Sequence, residues 1–286
     1  MSLRLTPTLL IAALATTCGA ATADQEPPSN MEWTVDFENQ KLGPYTLDNI
    51  KSDWSNLPLS NINGIPLSEQ SPLRASIVQT ANGNALEILY PAKSYGLGTG
   101  SGASFEVALP PRDEYTLTYN VEFQPLEDGT FDWKRGGKLP GLSGGSHPSG
   151  GKYRPDGFTT RYMWGRRGDL VLYAYWLKQQ SIVGDDGHNY GEALPLNHHF
   201  KPGQTYELKQ HIKLNTPGQP NGLMEIWVDG ELKYKHSGLV FREAGASWAI
   251  DQFYFCSFHG GNNADWAPPR DNRVRFDSIY VSSPTE

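Results

Sequence analysis

The chain has 286 residues and a net charge of −7 from 31 acidic and 24 basic side chains, a balance that excludes a duplex nucleic-acid binder relying on a broad basic surface. It does not exclude a polyanion held by a few cations focused in a cleft. With 30 glycines, 21 prolines, 14 tyrosines, 8 tryptophans and no long helical periodicity, the composition points to short strands joined by many turns in one large domain.

Residues 1–23 run from Arg4 through the apolar Leu9 to Ala15 stretch to Ala21-Thr22-Ala23, the basic, apolar and small-residue order of a secretory signal. Cleavage after Ala23 is expected, leaving residues 24–286 as a single exported domain, periplasmic or extracellular. No later segment is long and apolar enough to span a bilayer. Ala15-Thr16-Thr17 before Cys18 is a poor match to a lipoprotein anchor. Without the leader Cys256 is the lone cysteine, so stability must come from the core and not from an intramolecular disulfide.

After a polar lead-in, Trp33 to Phe37 reads as the first strand and 38–73, with its prolines and Asn/Ser clusters, as a long irregular excursion. Strands are predicted near 84–90 and 103–109, and then over 115–123, where Tyr115, Leu117, Tyr119, Val121 and Phe123 alternate with polar residues at a period of two. Thr130-Phe131-Asp132-Trp133 looks strand-like and leads into Gly136-Gly137-Lys138-Leu139-Pro140-Gly141-Leu142-Ser143-Gly144-Gly145. This reads as a glycine-dense turn that lets the backbone approach a ligand, with Leu139 and Leu142 as anchors that hold Lys138 in place. Strands over 158–164 and 169–176 flank a hairpin turn at 165–169. A register centred on Arg167 sets Arg161 opposite Tyr173 and Thr159 opposite Tyr175, all on one face. Further strands are predicted at 205–213, 223–229, 250–258 and 273–281. The pattern is that of an all-β protein, a two-sheet sandwich of the jelly-roll kind whose concave sheet offers a groove for an extended polymer.

The Gly136 to Leu142 segment, the strand Phe158-Thr159-Thr160-Arg161-Tyr162-Met163-Trp164 and Tyr173-Ala174-Tyr175 together resemble polysaccharide lyase family 14, which includes alginate and glucuronan lyases. The likeness extends from about Ala85 to the end of the chain. It implies a β-jelly roll that cleaves uronic-acid polymers by β-elimination without a redox cofactor, with Lys138, Arg161, Tyr173 and Tyr175 on the catalytic positions. Thr159 stands where the family often has serine and keeps the hydroxyl; Ser104 stands where glutamine is expected, a departure that bears on substrate preference. The anionic polysaccharide would be the partner of a chain acting as a monomer, with alginate, mannuronate-rich, as first substrate and β-1,4-glucuronan second.

The residue types suit that chemistry. Removing the weakly acidic C5 proton of a uronate requires cations and hydrogen-bond donors at the adjacent carboxylate. Arg161 can pair with it bidentately and stays charged, while Lys138 or a tyrosine handles protons. The base is open between them; Tyr175 is the candidate donor to the leaving oxygen, with Tyr173 as its partner and Thr159 in support. Lys152, Tyr153 and Arg154, after the loop from Ser143 to Gly151, are candidates for binding neighbouring sugars, and His188-Asn189-Tyr190 for a lid over the groove. No metal is expected: His198-His199 lacks a second ligand pair at a recognisable spacing, and Asp185-Asp186 lacks the oxygen ladder of a calcium site. A sandwich-fold glycoside hydrolase would need paired carboxylates, which Glu225, Asp229 and Glu231 offer in sequence, although Asp229-Gly230 reads better as a hairpin turn. A carbohydrate-binding module without activity would use the tryptophans and have no need of the lysine, arginine and tyrosine grouping.

Overall fold

The computed structural model describes residues 31–66, 74–177, 179 and 182–284, so the leader expected at 1–23 lies outside the described residues. Two antiparallel sheets pack face to face. In the outer sheet the strands run in the order Glu231–Leu239, Gly222–Val228, Thr205–Lys213, Glu114–Phe123, Asn272–Ser283, Gly83–Tyr90, Ala75–Thr80 and Gly43–Pro44, with Met31–Val35 also paired to Asn272–Ser283. In the second, the cleft sheet, the order is Glu192–His199, Asp169–Tyr175, Gly157–Trp164, Gly137–Gly145, Ile250–His259, Ala103–Arg112 and Leu59–Asn63.

Alternation puts the core between the sheets. Every second residue of Glu114–Phe123 is buried, from Tyr115 to Phe123. These side chains meet aromatics from the other sheet: Phe123 lies 5.3 Å from Trp164 between ring centres, and Tyr119 lies 6.2 Å from Tyr162. Phe255 meets Phe276 at 5.1 Å in the same way. Each such side chain contributes roughly 1.5–3 kcal/mol through burial, which is how the sandwich holds together with Cys256, the only cysteine among the described residues, buried and free. Two hydrogen bonds from the cleft sheet lock the relative position of the layers, Thr160 Oγ1 to Gln210 Oε1 at 2.7 Å and Tyr162 Oη to the Lys209 carbonyl at 2.7 Å.

The turns follow their residues. Asp229 and Gly230 both have positive φ, 50° and 75°, and form the two-residue hairpin turn between Gly222–Val228 and Glu231–Leu239. Gly165 to Asp169 is likewise a hairpin connection, with Arg167 at φ 63°.

Three expectations are corrected. Lys138 is on the strand Gly137–Gly145 and not in a loop, because the carbonyls and amides of this glycine-rich stretch pair with strands on both sides. The stretch Thr130 to Trp133 forms no strand. Within 38–73 the described part carries two strands and a helix, Leu47–Asp53, whose first turn is closed by a capping box between Thr46 and Asn49.

One core group makes the fold acid-sensitive. His259 is buried against Trp164, Tyr90 and Phe131, and neither ring nitrogen has a hydrogen-bond partner. Burial pushes its pKa down from the ordinary 6.5 to about 3. A depressed folded pKa gives stability that is complete above the unfolded value and lost as pH falls from 6.5 towards 3. His259→Phe is therefore expected to remove up to about 5 kcal/mol of the difference in unfolding free energy between neutral and acid pH. Urea titrations at several pH values check this; an unchanged pH slope in the variant contradicts it.

Candidate active site

Four strands of the cleft sheet bring polar chemistry to one place. Along Gly157–Trp164 the even residues Phe158, Thr160, Tyr162 and Trp164 enter the core, leaving Thr159, Arg161 and Met163 on the opposite face. The hairpin pairs Arg161 with Tyr173 and Thr159 with Tyr175, the register read from the sequence. Lys138 is paired with Met163 on one side and with Phe258 on the other. The resulting cleft of about 480 Å³ is lined by Lys138, Arg161, Met163, Tyr173, Tyr254 and Phe258 from strands, and by Ser149, Ile182, Tyr190, Asn262 and Trp266 from the segments around it.

Arg161 is only 2% exposed. Its side chain crosses the glycine opposite it, Gly141, to reach the strand beyond, where the guanidinium sits 4.8 Å from the centre of the Tyr254 ring and 3.8 Å from Cys256 Sγ. Only glycine fits at position 141, since a Cβ there would lie 1.7 Å from the Thr160 carbonyl oxygen. Arg161 Nε is buried without a hydrogen-bond partner.

Lys138 Nζ lies 3.4 Å from the centre of the Tyr173 ring and 2.7 Å from Met163 Sδ. A thioether and a π-face are weak partners for an ammonium. Burial, and after it the charge of Arg161, push the amine well below the ordinary lysine value. Neither Lys138 nor Arg161 has an ion pair with a carboxylate among the described residues. Buried Arg161 and half-buried Lys138 therefore both lack the anion that a cation withdrawn from water ordinarily requires.

The two tyrosines divide their positions. The Tyr173 phenol lines the cleft, while Tyr175 is fully buried behind it. Their hydroxyls are 3.0 Å apart. Gly151 N donates to Tyr175 Oη at 2.8 Å and Gly191 N to Tyr173 Oη at 3.1 Å. Burial, followed by the neighbouring Tyr175, pushes the Tyr173 phenol well above the ordinary tyrosine range, so it holds its proton at neutral pH.

The remaining candidates fall into two groups. Ser104 lines the continuation of the groove past Tyr254, where its hydroxyl donates to the Asn61 carbonyl at 3.2 Å. Thr159 is buried on the cleft face, but its hydroxyl donates to the Pro148 carbonyl at 2.7 Å and so holds the loop that carries Ser149. Lys152, Tyr153, Arg154 and His188 are outside the cleft lining: Lys152 bridges to Ser149 and Asn189 through backbone, Tyr153 donates to the Leu177 carbonyl, Arg154 is exposed, and His188 faces Asp186 at 3.3 Å. From the predicted lid it is Tyr190, with Ile182, that reaches the cleft. Glu225 lies on the outer sheet, engaged by His211 and Lys235, and Asp229 is in the hairpin turn, so the carboxylates considered for hydrolysis do not face the cleft.

Among the residues that sequence reading passed over are Tyr254, Met163, Phe258 and Trp266 in the cleft and Glu106 in its continuation. Tyr254 carried a signal, since alternation along 250–258 places it on the face opposite Phe253 and Phe255.

Replacing Lys138 by methionine, similar in length and uncharged, removes a desolvated amine from an apolar wall. Lys138→Met is expected to keep the fold and to gain on the order of 1 kcal/mol in stability, the trade-off typical of a functional group placed against its own solvation. Denaturant unfolding checks this; a loss of several kcal/mol would show that Lys138 is satisfied where it sits.

The Polysaccharide lyase 14 family model matches residues 78–279, a span that contains Lys138, Arg161, Tyr173 and Tyr254. Comparison with curated proteins gives no match. Among solved structures, the PL-14 alginate lyase from Aplysia kurodai has a TM-score of 0.68 at 23% identity, covering 88% of this chain and 98% of that one. A mutant of alginate lyase Aly36B in complex with an alginate tetrasaccharide has a TM-score of 0.70 at 23% identity, over 87% and 96%. The endo-β-1,4-glucuronan lyase from the fungus Trichoderma reesei has a TM-score of 0.50 at 16% identity, over 79% and 96%. At these identities the structural likeness is one of fold, the two-sheet sandwich. The family match spans most of the chain and encloses the cleft: the protein belongs to polysaccharide lyase family 14 and is a polysaccharide lyase.

Proposed function

We propose that the protein cleaves 4-linked polyuronates by β-elimination in the Lys138 cleft, with mannuronate-rich alginate as first substrate and β-1,4-glucuronan as second. The observation that carries this reading is a buried arginine and a half-buried lysine in one cleft, neither with a carboxylate partner among the described residues. A uronate carboxylate supplies the missing anion, and the sugar that bears it is the one whose C5 proton must be removed.

The chain's own groups divide the work. Arg161 pairs with the carboxylate and stabilises the negative charge that develops on it as the C5 proton leaves. Lys138, whose amine is poised to be neutral, accepts that proton. The electron pair forms the C4–C5 double bond as the C4–O bond breaks, and Tyr173 gives its proton to the departing oxygen. As product leaves, solvent water takes the proton from Lys138 and reprotonates the Tyr173 oxygen, which restores both groups. Tyr175 and Gly191 fix the orientation of the Tyr173 hydroxyl. No redox cofactor takes part in these steps, and Arg161 performs the charge-stabilising task that a metal ion performs elsewhere.

Adjacency of acid and base favours one stereochemistry. With Lys138 and Tyr173 in contact, proton and leaving oxygen depart from the same side of the ring. They share a face in mannuronate and in glucuronate, and lie on opposite faces in guluronate. Alginate-binding lyases of the same fold support the choice of polymer. The order of residues 1–23 supports export to where such polymers are found.

Lys138→Ala and Arg161→Ala are each expected to lower turnover by about three orders of magnitude or more, read as loss of ultraviolet absorbance from the 4,5-unsaturated product. Tyr173→Phe is expected to fall as far, and Tyr175→Phe by about tenfold, because it only orients the donor. Equal losses in the two tyrosine variants would contradict that division, and near-native activity in either cation variant would remove its residue from the mechanism. The pH profile gives a separate check. A base must be deprotonated, so the rate rises with pH through the Lys138 pKa, well below the ordinary lysine value of 10.5. Removing the Arg161 charge raises that pKa, and the acid limb of the residual activity of Arg161→Ala is expected to move to higher pH; no movement would disconnect the limb from Lys138.

A further inference from the structure

Past Tyr254 the groove continues into a second depression of about 570 Å³, which shares Ser149 and Tyr254 with the first and is lined further by Asn61, Ser104, Glu106 and His147. Its floor holds a carboxylate. Glu106 is 6% exposed, on the strand next to Tyr254 and directly paired with it. Its Oε2 accepts three hydrogen bonds, from Ser60 Oγ at 2.9 Å, Asn61 Nδ2 at 2.5 Å and Gln252 Nε2 at 3.0 Å. Its other oxygen has no hydrogen-bond partner among the described residues, and Glu106 lines the depression. A negative group is thus built into the floor of a groove that receives a polyanion.

The position of Glu106 resolves that conflict. The Arg161 guanidinium lies over the Tyr254 ring, and Glu106 is one strand further on, about 4.8 Å in a sheet, close to the rise of one sugar in an extended 1,4-linked chain. In a polymer whose linkages are equatorial at both ends, each ring is flipped relative to the last. When one carboxylate points down to Arg161, that of the adjacent sugar points away from the floor and its C2–C3 hydroxyl edge points down. We propose that Glu106 Oε1 accepts hydrogen bonds from that hydroxyl edge, making Glu106 a specificity-determining residue that selects a ribbon of alternating faces and rejects a carboxylate or an acyl group at this place. The inference rests on the polyuronate reading above. The three protein donors on Oε2 fix the carboxylate so that its other oxygen is aimed without loss of order on binding.

Glu106→Gln tests this conservatively, because the amide can keep an oxygen for the three donors and presents an NH₂ donor in place of the free acceptor. The measurement is kcat/KM, by ultraviolet absorbance, on polymannuronate and on the same polymer O-acetylated at C2 and C3. The wild-type enzyme is expected to prefer the free polymer by about tenfold or more, the scale of a hydrogen bond to a charged group. In Glu106→Gln the rate on the free polymer falls by about tenfold, the rate on the acetylated polymer changes little, and the preference collapses, with an unchanged unfolding midpoint. An unchanged preference in the variant, or a variant faster than wild type on the free polymer, overturns the proposal, the latter by showing that the carboxylate only repels substrate. Should the variant fold poorly, equal wild-type rates on the two polymers overturn it as well. Absence of unsaturated product from every polyuronate would instead sink the underlying reading of the reaction.

Discussion

A buried arginine and a half-buried lysine lie within electrostatic reach of each other, and neither has a carboxylate beside it among the described residues. Left alone such a pair is unfavourable: each charge loses hydration, and each raises the cost of the other. The arginine cannot shed its proton, so the strain falls on the lysine, whose amine is driven towards neutrality. An arrangement that weakens the free protein therefore favours both things an elimination needs, a fixed positive charge for a carboxylate and an amine that gives up its own proton more readily than an ordinary lysine.

The sandwich makes that pair tolerable. Two layers of aromatic side chains supply the stability that a desolvated cation removes, and the cleft sheet presents its outer face under surrounding segments that bury it almost as fully as the core. Details of the backbone then aim the groups. The bare Gly141 lets Arg161 lie across its neighbouring strand, and the irregular pairing between Lys138 and Gly141 re-aims the lysine. Main-chain N–H groups of Gly151 and Gly191 hold the two phenols in a chain that ends at the cleft. Beyond Tyr254 the groove changes from cationic to polar and acidic.

The sheet architecture and much of the site were legible because strand alternation is a local code. Tyr115 to Phe123 could be assigned to the core from their period alone, and the turn at Gly165 to Asp169 fixed the pairing of Arg161 with Tyr173. The Lys138 segment resisted the same reasoning: with Gly136, Gly137, Gly141, Gly144 and Gly145 around it, a strand held by neighbours on both sides has the composition of a turn. The sequence reads Tyr175 as the donor and Tyr173 as its partner, and only the third dimension shows that Tyr173 lines the cleft while Tyr175 lies buried behind it. Glu106 was invisible for a different reason. Its meaning comes from Ser60, Asn61 and Gln252, residues far apart in the chain that converge on one oxygen.

The charge state of Lys138 is the quantity on which this account turns, and nitrogen NMR of the side-chain amine, followed through a pH titration of the free enzyme, measures it directly. The amine is expected to titrate well below the exposed lysines of the same protein, and to move upward when a mannuronate oligosaccharide places a carboxylate against Arg161 in the inactive Tyr173→Phe variant. A Lys138 that titrates together with the surface lysines, and does not respond to the oligosaccharide, would contradict the claim that the unpaired cation pair drives the chemistry.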